Sequence, residues 1–82
     1  MRLDVALFQL RLFKSRSQAT SAIDAGHVEL NGARVKPSHE LRAGDRVTLT
    51  APGQRRTIEV LELPNRSVSR EAARAMVRDT GG

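Results

Sequence analysis

The chain has 82 residues, 14 Lys and Arg against 9 Asp and Glu, a net charge of +5 at pH 7 and no cysteine. That length holds one small domain with a modest core. The missing thiols exclude a disulfide framework, a zinc ribbon and a cysteine nucleophile, while the basic balance favours a polyanionic partner, either nucleic acid or an acidic membrane surface.

Among the cations only Lys14 and Lys36 are lysine. Arginine's planar fork of donors suits phosphate and base edges. A GC-rich genome produces the same bias, so composition leaves both causes open. The chain opens on a charged, amphipathic run with neither an apolar signal core nor a transmembrane stretch, and a cytosolic protein is the expectation.

Leu3, Leu7 and Leu10 recur on one face of a predicted first helix, with Asp4 as its cap. Arg2, Arg11 and Lys14 fall where this helix meets solvent. Phe8 is expected in the core, and Phe13 in the core or partly exposed. A short link around Phe13 and Lys14 leads to a second helix starting at Ser15, where Gln18 completes a capping-box pattern. Ala19, Ala22 and Ile23 form its apolar stripe, and Gly26 supplies the left-handed residue that ends it.

Asn31-Gly32, between Val28 and Leu30 on one side and Val35 on the other, is a strong hairpin signal because both turn positions need positive φ. Pro37 limits the second strand. Gly44-Asp45 turns into a strand from Arg46 to Thr50, and Pro52-Gly53-Gln54 turns into another from Arg56 to Leu63, with Ile58, Val60, Leu61 and Leu63 as its apolar residues. Pro64-Asn65 ends the compact part. Beyond it a short helix capped by Ser69 is predicted, with Arg70, Arg74 and Arg78 along one face.

His27 and His39 have no carboxylate or cysteine at ligand spacing, so no metal site is expected. The serines and glycines form neither a nucleophile elbow, a phosphate-binding loop nor a dinucleotide fingerprint, which predicts a protein that is not an enzyme and needs no cofactor. Arg2, Arg11, Lys14 and Arg16, offset by Asp4, concentrate charge on a short arc beside the amino end of the second helix, where a phosphate is well placed. A merely solvated polar junction is the alternative. With Phe8 and Phe13 as the only aromatics there is no stacking platform, so recognition is expected to rest on charge, backbone contacts and RNA shape.

The ordered set Arg2-Leu3-Asp4, Arg11-Leu12, Lys14 to Ala19, Ile23, Gly26 to Gly32, Val35 to Ser38 and Gly44 to Val47 resembles the small RNA-binding domain named after small-subunit ribosomal protein S4, the alpha-L motif. The resemblance implies an α+β fold, with two adjacent N-terminal helices packed on a small, mostly antiparallel sheet and a short C-terminal helix or tail. The implied boundaries are an RNA-binding domain over 1–65 and a basic helix or tail over 66–82. RNA contact is carried onto Arg2, Lys14, Ser15 and Arg16, with Gln18 and Thr20 on the same helix. Arg11 and Lys36, the latter facing backbone phosphate, complete the candidate set, while Asn31 and Gly32 match the family's turn.

A free-standing domain of this size further resembles the ribosome-associated heat-shock proteins, and among them the short quality-control members. That resemblance implies binding to large ribosomal subunits carrying stalled peptidyl-tRNA, with contacts to both rRNA and tRNA. The P-site tRNA would be stabilised while a partner factor adds alanine without a template. No membrane or cofactor is implied, and the free chain is expected to be a monomer. Three alternatives remain at this stage: a ribosome-assembly factor that meets structured RNA elsewhere, the detached RNA-binding subunit of a modification enzyme, and a winged helix-turn-helix DNA binder, which lacks the additional helix such a fold builds its core on.

Overall fold

A computed structural model describes residues 1–65 and 68–81. Along the chain these form α1 (Leu3–Gln9), α2 (Arg16–Asp24), β1 (Val28–Leu30), β2 (Ala33–Arg34), β3 (Arg46–Ala51), β4 (Gln54–Val60), α3 (Arg70–Met76) and β5 (Val77–Gly81). The strands make one sheet in the order β2-β1-β3-β4-β5, and every neighbouring pair is antiparallel. This is the α+β architecture expected from the sequence.

The core forms where the helices meet the sheet. Leu3, Leu7 and Leu10 from the first helical segment are buried together with Ala19 and Ile23 of α2, and with Val28, Leu30, Val47, Ile58 and Val60 of the sheet. The periodicity of three and four in the helices and of two in the strands brings these side chains to one side. In the sheet the rows Leu30↔Val47 and Val47↔Ile58 run straight across three strands. Leu41, in the loop before β3, closes the cluster.

Asn31 and Gly32 form the two-residue turn between β1 and β2, with φ of 52° and 82°. Both values lie in the left-handed region that a hairpin of this hand requires. At the end of α2 the His27 N–H donates to the Ala22 carbonyl and the Gly26 N–H to the Ile23 carbonyl, with Gly26 at φ 83°. This pair of bonds is the Schellman closure.

Several elements depart from the sequence reading. Leu10 caps α1, and Arg11 takes the left-handed position at φ 62° that glycine fills at the end of α2. The same two bonds recur there, from Leu12 N–H to the Leu7 carbonyl and from Arg11 N–H to the Phe8 carbonyl. The first helix is thus shorter than expected, and its link to α2 longer. Phe8 lies outside the core cluster and is half-buried, because α1 turns its leucine stripe inward and Phe8 sits beside that stripe. Asp4 is not the cap: α1 starts at Leu3, its Leu3 and Asp4 amides donate to the carbonyls of His39 and Pro37, and the cap position is Arg2. Gln18 closes only half of the capping box. The Ser15 hydroxyl accepts from the Gln18 N–H, but the Gln18 side chain accepts from Lys14 N–H instead of from Ser15.

The fourth strand stops at Val60, and Leu61 is exposed. Ser69 does cap a helix, its hydroxyl accepting from the Ala72 N–H. That helix ends at Met76, however, and the chain becomes extended at Val77 with φ −131° and ψ 157°. Val77 pairs with Val60 and Arg78 with Glu59, so Arg78 leaves the helical face of Arg70 and Arg74 and lies on a sheet strand. The β-branched valine gains a cross-strand neighbour there. The parts of the predicted C-terminal segment at 66–67 and 82 lie outside the described residues.

Candidate nucleic-acid interface

Asp4 organises the basic arc. Its carboxylate is 1% exposed, yet it stands at the first turn of α1, facing the start of α2. Arg2, just before α1, donates from Nε to Oδ1 and from Nη2 to Oδ2, each at 3.1 Å. This is the forked two-bond arrangement that a planar guanidinium makes best. From α2, Arg16 places Nε 3.7 Å from Oδ2. One turn later Thr20 brings its hydroxyl to 3.1 Å from the same oxygen and 3.0 Å from the Arg16 carbonyl, sharing one proton between two acceptors. The Val5 N–H donates to Oδ1 at 2.8 Å.

Burial pushes the Asp4 carboxyl upward. The Arg2 hydrogen bonds, the Val5 amide, the Thr20 hydroxyl and the Arg2 charge outweigh it and hold the group below its ordinary 3.8. An ionised Asp4 therefore anchors two arginines that remain 51% and 55% exposed. Arg2 spends two of its five N–H donors on Asp4, and its side chain stays half-exposed. The result is a pair of guanidiniums from different elements, held side by side with open donors. Such a pair suits two neighbouring oxygens of a phosphate backbone.

The other candidate residues divide into groups. Ser15 and Gln18 serve the entry of α2, fixing the backbone that presents Lys14 and Arg16. Lys14 is exposed at that entry, and Lys36 is exposed beside Pro37, whose carbonyl receives the Asp4 amide. Lys36 thus flanks the start of α1. Arg11 does not join the Asp4 cluster. Its left-handed backbone sends the side chain the other way, where Nε donates to the Val68 carbonyl at 2.5 Å. Sequence reasoning missed Asp4 as the organiser, because a carboxylate near a helix start reads as a cap. The signal available was Arg2, Arg16 and Thr20 all falling within reach of one acidic residue on two adjacent helices.

Known proteins resemble this chain in sequence and in fold. The S4 domain model matches residues 1–47, the segment that carries α1, α2, the hairpin and the start of β3. The RQC P-site tRNA stabilizing factor of Bacillus subtilis (strain 168) is 36% identical over 73 residues, covering 89% of this chain and 85% of that one. Small ribosomal subunit protein uS4 of Macrococcus caseolyticus (strain JCSC5402) is 37% identical over 67 residues, 78% of this chain but 34% of its own. The solved structure of Vibrio cholerae Heat Shock Protein 15 superposes with a TM-score of 0.91 at 31% identity, over 98% of this chain and 81% of that one. With the domain model covering more than half of the chain and a relative matched over most of its length, the chain belongs to the S4 domain family.

Proposed function

We propose that this chain is a ribosome-associated RNA-binding protein that acts as a clamp and not as a catalyst. Its RNA contacts are Arg2 and Arg16, with Lys14 and Lys36 flanking them, Ser15, Gln18 and Thr20 shaping the α2 entry, and Arg11 at the far edge. The observation that carries this reading is the buried Asp4 carboxylate, whose Oδ2 lies within ion-pair reach of both Arg2 and Arg16 while half of each side chain stays exposed. Structural ion pairs alone do not need two cations from two elements left open to solvent. Similarity to the B. subtilis factor over nearly the whole of both chains supports the finer assignment. In that assignment the chain binds large ribosomal subunits that carry stalled peptidyl-tRNA, touches rRNA and tRNA, and steadies the P-site tRNA during alanine tailing by a partner factor. It works in the cytoplasm, as a monomer when free.

A second reading, a general factor for structured rRNA during ribosome assembly, draws on the similarity to uS4 over 78% of this chain. The test is equilibrium binding of the full chain to tRNA and to large-subunit rRNA stem-loops across a salt series, with Arg16→Ala alongside. Removal of one phosphate contact should weaken binding and flatten the log–log salt slope by ~0.7 to 0.9, with an unchanged melting temperature. Normal melting with unchanged affinity and slope would overturn the assignment of the site; binding to rRNA stem-loops with no measurable tRNA affinity would favour assembly.

A further inference from the structure

A second basic surface lies away from the Asp4 cluster, in a cleft of about 770 Å³ between the α1–α2 link and α3. Five cations line it: Arg11 and Lys14 from the link, Arg56 from β4, and Arg70 and Arg74 one turn apart on α3. No carboxylate lines it among the described residues. Among the described residues, one of these cations is met by an acidic group: Asp79 of β5 pairs with Arg56 at 2.7 Å and is itself held below its ordinary value by that bond. Arg11 donates one bond to a backbone carbonyl, which fixes its direction without neutralising it. The wall between the cations includes Phe8, the residue that sequence periodicity assigns to the core and that the fold instead leaves half-buried at the cleft.

We propose that this cleft takes a single-stranded RNA segment, its phosphates on Arg11, Lys14, Arg70 and Arg74 and one unstacked base against Phe8. The inference rests on the RNA-binding reading and adds a second contact surface, which takes Arg11 and Lys14 from the margin of the first. Arg11, Lys14, Arg70 and Arg74, converging on a concave site without a carboxylate in its lining, concentrate positive potential there more than on an open face. An A-form duplex presents its phosphates on a convex surface wide enough to rest on the rim, whereas an unpaired strand can enter and offer a base to an aromatic face. The division of labour follows from the backbone: the left-handed Arg11 turns away from Arg2 and Arg16 and faces α3. One RNA-binding protein thereby gains two RNA-facing sides, a duplex or backbone contact at the Asp4 cluster and a strand contact in the cleft.

The experiment measures affinity of the full chain for a stem-loop RNA with a single-stranded uridine tail and for the same stem-loop without it. It compares the unaltered protein, Arg70→Gln/Arg74→Gln and Arg16→Gln. Glutamine preserves helix propensity in α3. The tail should tighten binding to the unaltered protein, and the double variant should lose that gain together with ~1.4 of the log–log salt slope, at ~0.7 for each single-strand contact, while binding the tailless stem-loop normally. Arg16→Gln should weaken both RNAs and keep the gain from the tail. A tail that adds nothing to the unaltered protein, or a folded double variant that keeps the full gain, would overturn the cleft assignment and leave the Asp4 site standing. Failure of the unaltered protein to bind either RNA would overturn both. A double variant that keeps its RNA affinity but loses capture of a poly-glutamate peptide would give the cleft to an acidic protein segment instead.

Discussion

Asp4 carries two duties that pull against each other, since a carboxylate at 1% exposure loses its hydration and must be repaid by hydrogen bonds. Arg2, Val5 and Thr20 supply them. Hydrogen bonds to a charged group are worth about 1.5 to 3 kcal/mol, so Asp4→Ala should lower the unfolding free energy by about 2 to 3 kcal/mol in urea titration. Because the folded value of Asp4 lies below the unfolded one, its contribution is fully present above the ordinary 3.8 and is lost as pH falls through the depressed folded value. Stability measured between neutral and strongly acidic pH should therefore drop in that acidic window, and Asp4→Asn should flatten this part of the curve. The same substitution raises net charge by one. If orientation of Arg2 and Arg16 governs recognition, RNA affinity falls in spite of that gain; if charge alone governs, it rises.

Among the elements, the hairpin and the ends of the helices show where the pattern of residues was enough. Asn31-Gly32 fixed both the turn and its register, because few residue pairs accept positive φ twice. Space around Gly32 is open, so the cost of Gly32→Ala is conformational, about 1 to 2 kcal/mol for a side chain in the left-handed region, readable as a lower melting temperature. The end of α1 was not legible: it uses Arg11 where glycine is usual, and a left-handed arginine has no sequence signature. Arg11→Gly should accordingly leave stability equal or higher while removing a cation from the cleft. The strand β5 was also hidden. The spacing of Arg70, Arg74 and Arg78 suggested one helix, whereas the chance for Val77 to pair with Val60 is a tertiary gain that local periodicity does not register. Truncation after Asn65 should strip the edge of β4, remove Met76 and Val77 from the core margin, and give an earlier and broader thermal transition.

For the whole molecule, the order of the N-terminal helices and hairpin and most of the core were readable because leucine and valine spacing reports which side of an element is buried, while the fold class came from the resemblance to the S4-type domain. The candidate site was readable as a set of residue types, but its partition was not. Arg2, Arg16 and Thr20 gather on Asp4, while Arg11 and Lys14 line a cleft with Arg56, Arg70 and Arg74; this grouping depends on backbone direction at Arg11 and on the return of the chain through α3, both set by tertiary packing. A charge of +5 on 82 residues gives general attraction to a polyanion such as RNA, and in the proposed function the Asp4-held pair gives that attraction a direction. The direct measurement is sedimentation of tagged protein through a sucrose gradient of cell lysate, with sequencing of crosslinked RNA, for the unaltered chain and Arg16→Ala. Comigration with large subunits and crosslinks to tRNA, both lost in the variant, is the expected result. An Arg16→Ala protein that sediments and crosslinks as the unaltered chain does would contradict the central claim that the Arg2–Arg16 pair is the RNA contact.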